Sequence, residues 1–364
     1  MFRLWLLVIA SVFALGCGSS SPVPPPAGET DSSPSGESRS APTNEPAVES
    51  PAASTPTSIQ GPPTKQESTL RDLAARLVVS DGGSGWRIDE APATELEKLG
   101  PRAANELVPL MRDPSAPVRR GAAFYLLGKF DPAQADHVAG FARLLDDEDQ
   151  TLRGFGLSAV KQMHRQDQID AVPRLAAMLT AMRETKPGNR EAIARLVGGL
   201  KLDGASAAEA LATAAADDPD AKVRAACLAA LVQVSEPGAS LAPLANALGD
   251  TEPAVRLVAA AKLESFGPAS APAAKQLAAA LADSDQRVGE RAAGALIRIG
   301  APAVEAIVSQ LTAQDVEAKK LALAALAKIG PPAKAALPAI EKLKSDSDAD
   351  VKKLAEIAAQ RISK

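Results

Sequence analysis

Four side chains in this 364-residue chain have the chemistry of nucleophiles or soft metal ligands: Cys17, Cys227, His137 and His164. Zinc needs three or four such ligands at defined spacing, and these four stand isolated from one another. The two histidines are expected at exposed helix ends. Cys227, in the apolar stretch Val223 to Leu231, is expected to be a small buried side chain. Asp81-Gly82-Gly83-Ser84-Gly85-Trp86 is glycine-rich, but it lacks the lysine and the preceding strand of a phosphate-binding loop, so it reads as a flexible connection. No GxxxxGK[ST] or GxSxG pattern occurs. The chain therefore predicts no catalytic set, no metal and no cofactor, and names no reaction.

Cys17 is different, because of what precedes it. Arg3 is followed by an apolar run from Leu4 to Leu15, interrupted only by Ser11, and Gly16 stands directly before the cysteine. A membrane span needs about 20 apolar residues, and the Gly-Ser stretch after Cys17 ends this one too early. Residues 1–16 resemble the signal peptide of a bacterial lipoprotein, although Ala14 and Leu15 stand in the reverse of that motif's commonest order. The resemblance implies that Cys17 receives a diacylglyceryl group and becomes the first residue after cleavage. Cys227 would then have no disulfide partner even in an oxidising envelope. Gly18 stands where an aspartate would mark inner-membrane retention in enterobacteria, so the implied destination is the outer membrane.

Residues 17–67 are expected to form a tether, lipidated at Cys17 as the resemblance implies. Eleven prolines, many Ser, Thr and Gly, and almost no large apolar side chains leave residues 18–67 too little surface to bury against the entropy of ordering. By the square-root rule such a chain spans roughly 40 Å. Its acids (Glu29, Asp31, Glu37, Glu45, Glu49) outnumber its bases (Arg39, Lys65), so it is not expected to lie on an anionic membrane.

From residue 68 to 364 the chain repeats a unit of 30 to 38 residues. Asp250, Asp283 and Ser347 each open a similar stretch, as does Val316. An acidic turn leads, a small apolar residue and usually a base follow (Val255-Arg256, Ala318-Lys319, Val351-Lys352), then Ala and Leu at helical spacing. Phe266-Gly267, Ile299-Gly300 and Ile329-Gly330 close three of these helices. Glycine suits the left-handed cap there, and Pro268, Pro302 and Pro331 suit the first turn of a new helix. Helix pairs are predicted to begin near residues 68, 100, 132, 165, 203, 236, 268, 301 and 331, and no segment reads as a strand. One pair cannot cover its own apolar face, so stacking supplies the core.

This pattern resembles HEAT-like repeats of the short, alanine-rich kind known from phycobilin lyases. The resemblance implies an all-α, right-handed α-solenoid of about eight to nine stacked pairs. It also implies a ladder in which the turn aspartate and the base after the valine link neighbouring repeats. The matching positions are Asp113/Arg119, Asp147/Arg153, Asp218/Arg224, Asp250/Arg256 and Asp346/Lys352; Gly289 stands in place of the base after Asp283, which predicts a break. Deoxyhypusine hydroxylases are built from similar repeats and use His-Glu pairs as iron ligands. Here His137 precedes Val138 and His164 precedes Arg165, so that ligand set cannot be assembled.

Forty bases against 44 acids give no basic stripe for nucleic acid. The last 46 residues depart from this balance, with ten bases facing five acids, which fits a polar end cap. Six of the seven aromatics after residue 67 fall between Trp86 and Phe155. They are expected either to seal the front of the stack or to anchor a partner. On the helix from Val118, Phe124 is expected off the buried stripe beside Arg120, so Trp86, Arg120 and Phe124 are the candidate contacts. The stretch Arg183 to Arg190 is expected to be a projecting polar loop. The expected function is a lipid-anchored scaffold or adaptor of the bacterial envelope, attached to the membrane through Cys17 and binding a protein. An enzyme related to bilin lyases, or one of unrecognised chemistry, and a plain spacer are the alternatives.

Overall fold

The computed structural model describes residues 65–80, 86–181 and 186–364; the leader, Cys17 and residues 17–64 of the tether lie outside them. The first described helix is α1 (Lys65–Leu77), followed by two short strands, β1 (Val78–Ser80) and β2 (Trp86–Ile88), and by α2 (Glu90–Lys98). Eight helix pairs then run to the C-terminal end. They are α3/α4 (Pro101–Leu107, Ala116–Leu127), α5/α6 (Ala135–Leu144, Gln150–Val160), α7/α8 (Arg165–Ala181, Pro187–Gly199) and α9/α10 (Ala208–Asp217, Ala221–Val234). The later four are α11/α12 (Pro237–Ala247, Pro253–Phe266), α13/α14 (Ala274–Ala279, Gln286–Ile299), α15/α16 (Val304–Gln310, Val316–Ile329) and α17/α18 (Leu337–Leu343, Ala349–Ser363).

Each second helix packs on the second helix of the next pair, in one continuous layer from α4 to α18, and α1 packs on α4 at its head. Apart from the short strand pair β1/β2, the described body is an all-helical solenoid. Two expectations are corrected at its front. Residue 68 does not open a pair: α1 packs on α4 as a second helix does, and no first helix precedes it among the described residues. And the chain does contain strands, since Val78 to Ser80 pair antiparallel with Ile88 to Trp86. The β-branched Val78, Val79 and Ile88 on either side of a glycine-rich sequence are a hairpin signal that the helical periodicity elsewhere had hidden.

The core follows the repeat. Val118, Leu152, Val223, Val255, Val288, Ala318 and Val351, each one residue before the ladder position, are all at most 1% exposed. Leu244 and Leu263, from the two helices of one pair, are completely buried, as the 3.6 period predicts. Aspartates start many of the second helices: Asp149, Asp220, Asp285, Asp315 and Asp348 accept from first-turn amides.

Glycines stop them. Gly267, Gly300 and Gly330 hold φ between 57 and 76° with ψ near −130°, a region open to glycine alone, and Gly100 is similar. The prolines that follow open a 3-10 turn (Gly267–Ala273, Ala301–Ala303, Pro331–Ala336) rather than the α-helix itself. In the fourth pair the turn position of Gly267 is taken by Lys201, with φ of 56°. Register supports the match: Ser270 and Gly204, each three residues later, are both buried against the preceding helix at Leu263 and Val197. A left-handed lysine carries a steric cost that glycine does not. Lys201→Gly is expected to raise unfolding stability by about 0.5–1 kcal/mol, after the extra unfolded-state entropy of glycine is subtracted. Urea denaturation checks it, and an equal or lower midpoint would place the strain elsewhere.

Candidate partner-binding surface

The recurrent polar chemistry of this body lies between its repeats. In most rungs an arginine of one second helix reaches forward to the turn aspartate of the next pair. Arg119 Nε and Nη2 donate to the two carboxylate oxygens of Asp147, both at 2.9 Å. Arg224 holds Asp250 at 2.8 and 2.7 Å, and Arg256 holds Asp283 at 2.6 and 2.7 Å. The third arginine nitrogen, Nη1, donates back to carbonyls five and six residues earlier: Asp113 and Pro114 for Arg119, Asp218 and Pro219 for Arg224. The aspartate is fixed in turn by the amide two residues on, as at Ser115, Asp149, Asp220 and Glu252. One guanidinium thus ties two turns together.

Two rungs escaped the sequence pattern. Arg71 in α1 reaches Asp113 at 2.7 Å. Arg190, expected in a projecting loop, lies in α8 and grips Asp218 at 2.6 and 2.9 Å, with both side chains at most 3% exposed. The signal was available, since Arg190 stands four residues after the helix N-cap Lys186 as Arg224 does after Asp220. Toward the C-terminal end, Lys319 reaches Asp346 at 3.1 Å, whereas Lys352, in the final helix, is exposed. Arg153 donates to the carbonyls of Asp147 and Glu148 at 2.7 Å, while its buried Nε meets no hydrogen-bond acceptor among the described residues.

The predicted break is present and has two sides. Gly289 supplies no base, and Ala313 stands where the next aspartate would be, two residues before the N-cap Asp315. A Cβ on Gly289 would come within 3.1 Å of Leu321 Cδ1 and 3.2 Å of the Leu281 carbonyl oxygen. Base and acid are missing together, and no orphaned charge remains at that junction.

The candidate contacts are overturned in part. Phe124 is 6% exposed, not a surface residue, and its ring lies 6.1 Å from that of Phe155. A second helix here is covered on several sides, by its own first helix and by two neighbouring second helices, so the buried arc of α4 runs from Gly121 through Leu126 without a gap. Arg120 is ion-paired with Asp149 at 2.7 Å. Trp86 contributes its backbone to β2; its side chain lies outside the described residues. Phe130 packs edge-on against Phe141 at 5.4 Å, and Tyr125 Oη donates to the Leu96 carbonyl at 3.3 Å. Burial, with Glu97 nearby, pushes the Tyr125 phenol up to about 12. Among the described residues Phe124, Tyr125, Phe141 and Phe155 are core, and Phe130 is half-buried.

His137 is also internal. It is 2% exposed and stacked on Phe130, and its Nδ1 accepts from the Asp131 amide at 3.3 Å. Burial lowers its pKa below the ordinary histidine value. Its neutral form is the one the fold prefers, so the stability it contributes is complete above about pH 6.5 and drains as pH falls below that. His164 is exposed, as expected. Cys227 is fully buried, its thiol pushed up to about 12 by burial and by Asp218. Among the described residues no three His, Cys, Asp or Glu side chains converge on a metal position, and no helix is long and apolar enough to cross a membrane.

The second-helix layer carries a shallow cleft of about 380 Å³ between α8 and α10. Its floor includes Ala194, Ala226 and Ala229; Arg195, Lys222 and Gln233 stand at its rim. Close approach makes it, because Gly198 sits against Ala230 with room for no side chain.

A family model described as HEAT repeats matches residues 208–296, which contain α9 to most of α14. A search of curated proteins finds no match. Among solved structures, the E. coli protein YIBA is 18% identical, with 79% of this chain and 99% of that chain covered and a TM-score of 0.41. A designed armadillo repeat protein is 19% identical (62% and 99% covered, TM-score 0.30). Human deoxyhypusine hydroxylase is 20% identical (76% and 99% covered, TM-score 0.29). At such identities and scores these likenesses carry nothing about ligand or activity.

The rungs yield a stability test. Asp218→Ala leaves the Arg190 guanidinium buried without its carboxylate, and is expected to cost about 3–5 kcal/mol in chemical denaturation. Replacing both partners, as Arg190→Met with Asp218→Leu, should recover most of that loss. A single variant as stable as the parent would mean that the pair carries no register energy.

Proposed function

We propose that this chain is a lipid-anchored scaffold or adaptor of the bacterial envelope that binds a protein partner through its second-helix face. One observation carries the binding half: the rungs and the aromatics Phe124, Tyr125, Phe141 and Phe155 are spent inside the stack, while the second-helix layer keeps a shaped cleft that no side chain fills. Repeat stacks of this kind supply long, rigid surfaces on which a partner can lie. The match to HEAT repeats supports the same reading. The reading as a non-enzyme rests on the sequence, where no catalytic motif occurs, and the anchoring half rests on Gly16-Cys17 after the apolar leader. The tether then holds the solenoid clear of the lipid, and the outer membrane is the proposed location.

Two variants test the halves separately. Cys17→Ser is expected to move the full chain from the detergent phase to the soluble envelope fraction; a variant that stays membrane-bound contradicts lipidation at Cys17. Ala226→Arg with Ala229→Arg fills the cleft from its half-buried floor on α10 and is expected to lose a partner captured from envelope membranes by at least tenfold, about 1.4 kcal/mol or more, at unchanged thermal stability. Full retention of the partner would place the contact on another face.

A further inference from the structure

The last three second helices share a feature that the preceding five lack. α14, α16 and α18 each carry a base in the final turn: Arg298, Lys328 and Arg361. These stand nine residues after Gly289, Lys319 and Lys352, the same repeat position three times in succession. α4, α6, α8, α10 and α12 have no base in the final turn. A helix C-terminus favours a cation, and Lys129, Lys161 and Lys201 stand at or just past the ends of α4, α6 and α8. None of the five earlier helices places a base at this repeat position, however, so stacking does not require one there. Arg298, Lys328 and Arg361 are all exposed, Arg298 by 60%. Arg298 has Glu264 at 3.9 Å, a carboxylate already held by Arg291 at 3.1 Å. Lys328 and Arg361 pair with no carboxylate among the described residues. Other exposed acids of these helices stand off the row: Glu317 and Asp350 lie in the first turns and bracket Lys320, Glu290 lies eight residues before Arg298 and accepts from Gln286, and Glu356 lies five residues before Arg361. The surrounding charge has the same sign: the last 46 residues hold ten bases and five acids, against a net charge of −4 for the whole chain.

Spacing selects the ligand. Packed helices stand 8–10 Å apart, so three bases at one repeat position make a row with about that pitch. A peptide in the polyproline II conformation advances about 3.1 Å per residue with three residues per turn, so every third side chain falls on one side and in step with the row. We propose that Arg298, Lys328 and Arg361 form a track for an extended acidic segment of a protein partner, one carboxylate per repeat at positions i, i+3 and i+6. The track deepens the protein-binding reading above, on which it rests, and gives the partner a chemistry.

The test uses the full chain in detergent and three labelled ten-residue peptides of Ser and Ala. One has Glu at positions 1, 4 and 7, one has Glu at 1, 2 and 3, and one has Lys at 1, 4 and 7. Fluorescence anisotropy at low salt is expected to show saturable binding of the spaced acidic peptide, about tenfold tighter than the clustered one and weakened by added salt. The combined variant Arg298→Gln, Lys328→Gln, Arg361→Gln should lose that binding by at least tenfold with an unchanged circular dichroism melt. Should that variant melt early, the single change Lys328→Glu serves instead, and must weaken the acidic peptide while leaving the spaced Lys peptide no weaker. No saturable binding, equal binding of both acidic peptides, or binding indifferent to these variants overturns the track. Binding to anionic phospholipid vesicles that depends on the three bases, with none to the peptides, also overturns it in favour of a lipid surface. A combined variant that still captures the membrane partner removes the track and leaves the scaffold reading standing.

Discussion

The whole body depends on one bidentate contact, repeated: an arginine fork on the aspartate of the next turn. Helices built mainly from alanine and leucine pack in many near-equivalent registers, because small side chains make shallow ridges. A guanidinium whose three nitrogens are directed at two carboxylate oxygens and at carbonyls of its own turn accepts one register only. Burial opposes ionisation of Asp250 and Asp283, yet the fork and the turn amide outweigh it and hold both carboxyls below the usual range. Their contribution is therefore complete above about pH 4 and drains as the pH falls through those lowered values.

That constraint explains where the array departs from regularity. At the junction of Gly289 and Ala313 both halves of the rung are gone, and Leu321 approaches the space that a side chain would need. A half-deleted rung would bury a charge without its partner, which costs more than an apolar junction of the same shape. Downstream of the junction the rung is a lysine, a single-point donor, and the exposed bases begin in the same three units. The stack changes there from forks that fix register to a surface with a sign.

The fold was legible because its signals are local. Glycine stops, acidic starts and the valine-base step recur in sequence, and helices appear within a few residues of the expected starts from residue 100 onward. What was not legible depended on neighbours that one helix cannot report. Phe124 falls off the stripe of an isolated helix, but α4 is flanked on several sides, so a one-faced reading misplaced it. His137 was expected in solvent because polar residues usually are, and Phe130 and the Asp131 amide give it an internal position. Arg190 was hidden by a polar stretch that read as loop, although its distance from the N-cap already marked a rung. The cleft between α8 and α10 had no signature of its own, since Gly198 opposite Ala230 becomes meaningful only when the two helices meet.

Hydrogen exchange of the Asp250→Asn variant tests most directly whether the forks couple neighbouring units. The account predicts faster amide exchange along α10, α11 and α12 together, because the side chain that Arg224 grips also fixes the turn between α11 and α12. Faster exchange confined to the turn at residues 250–252, with all three helices as protected as in the parent, would contradict it.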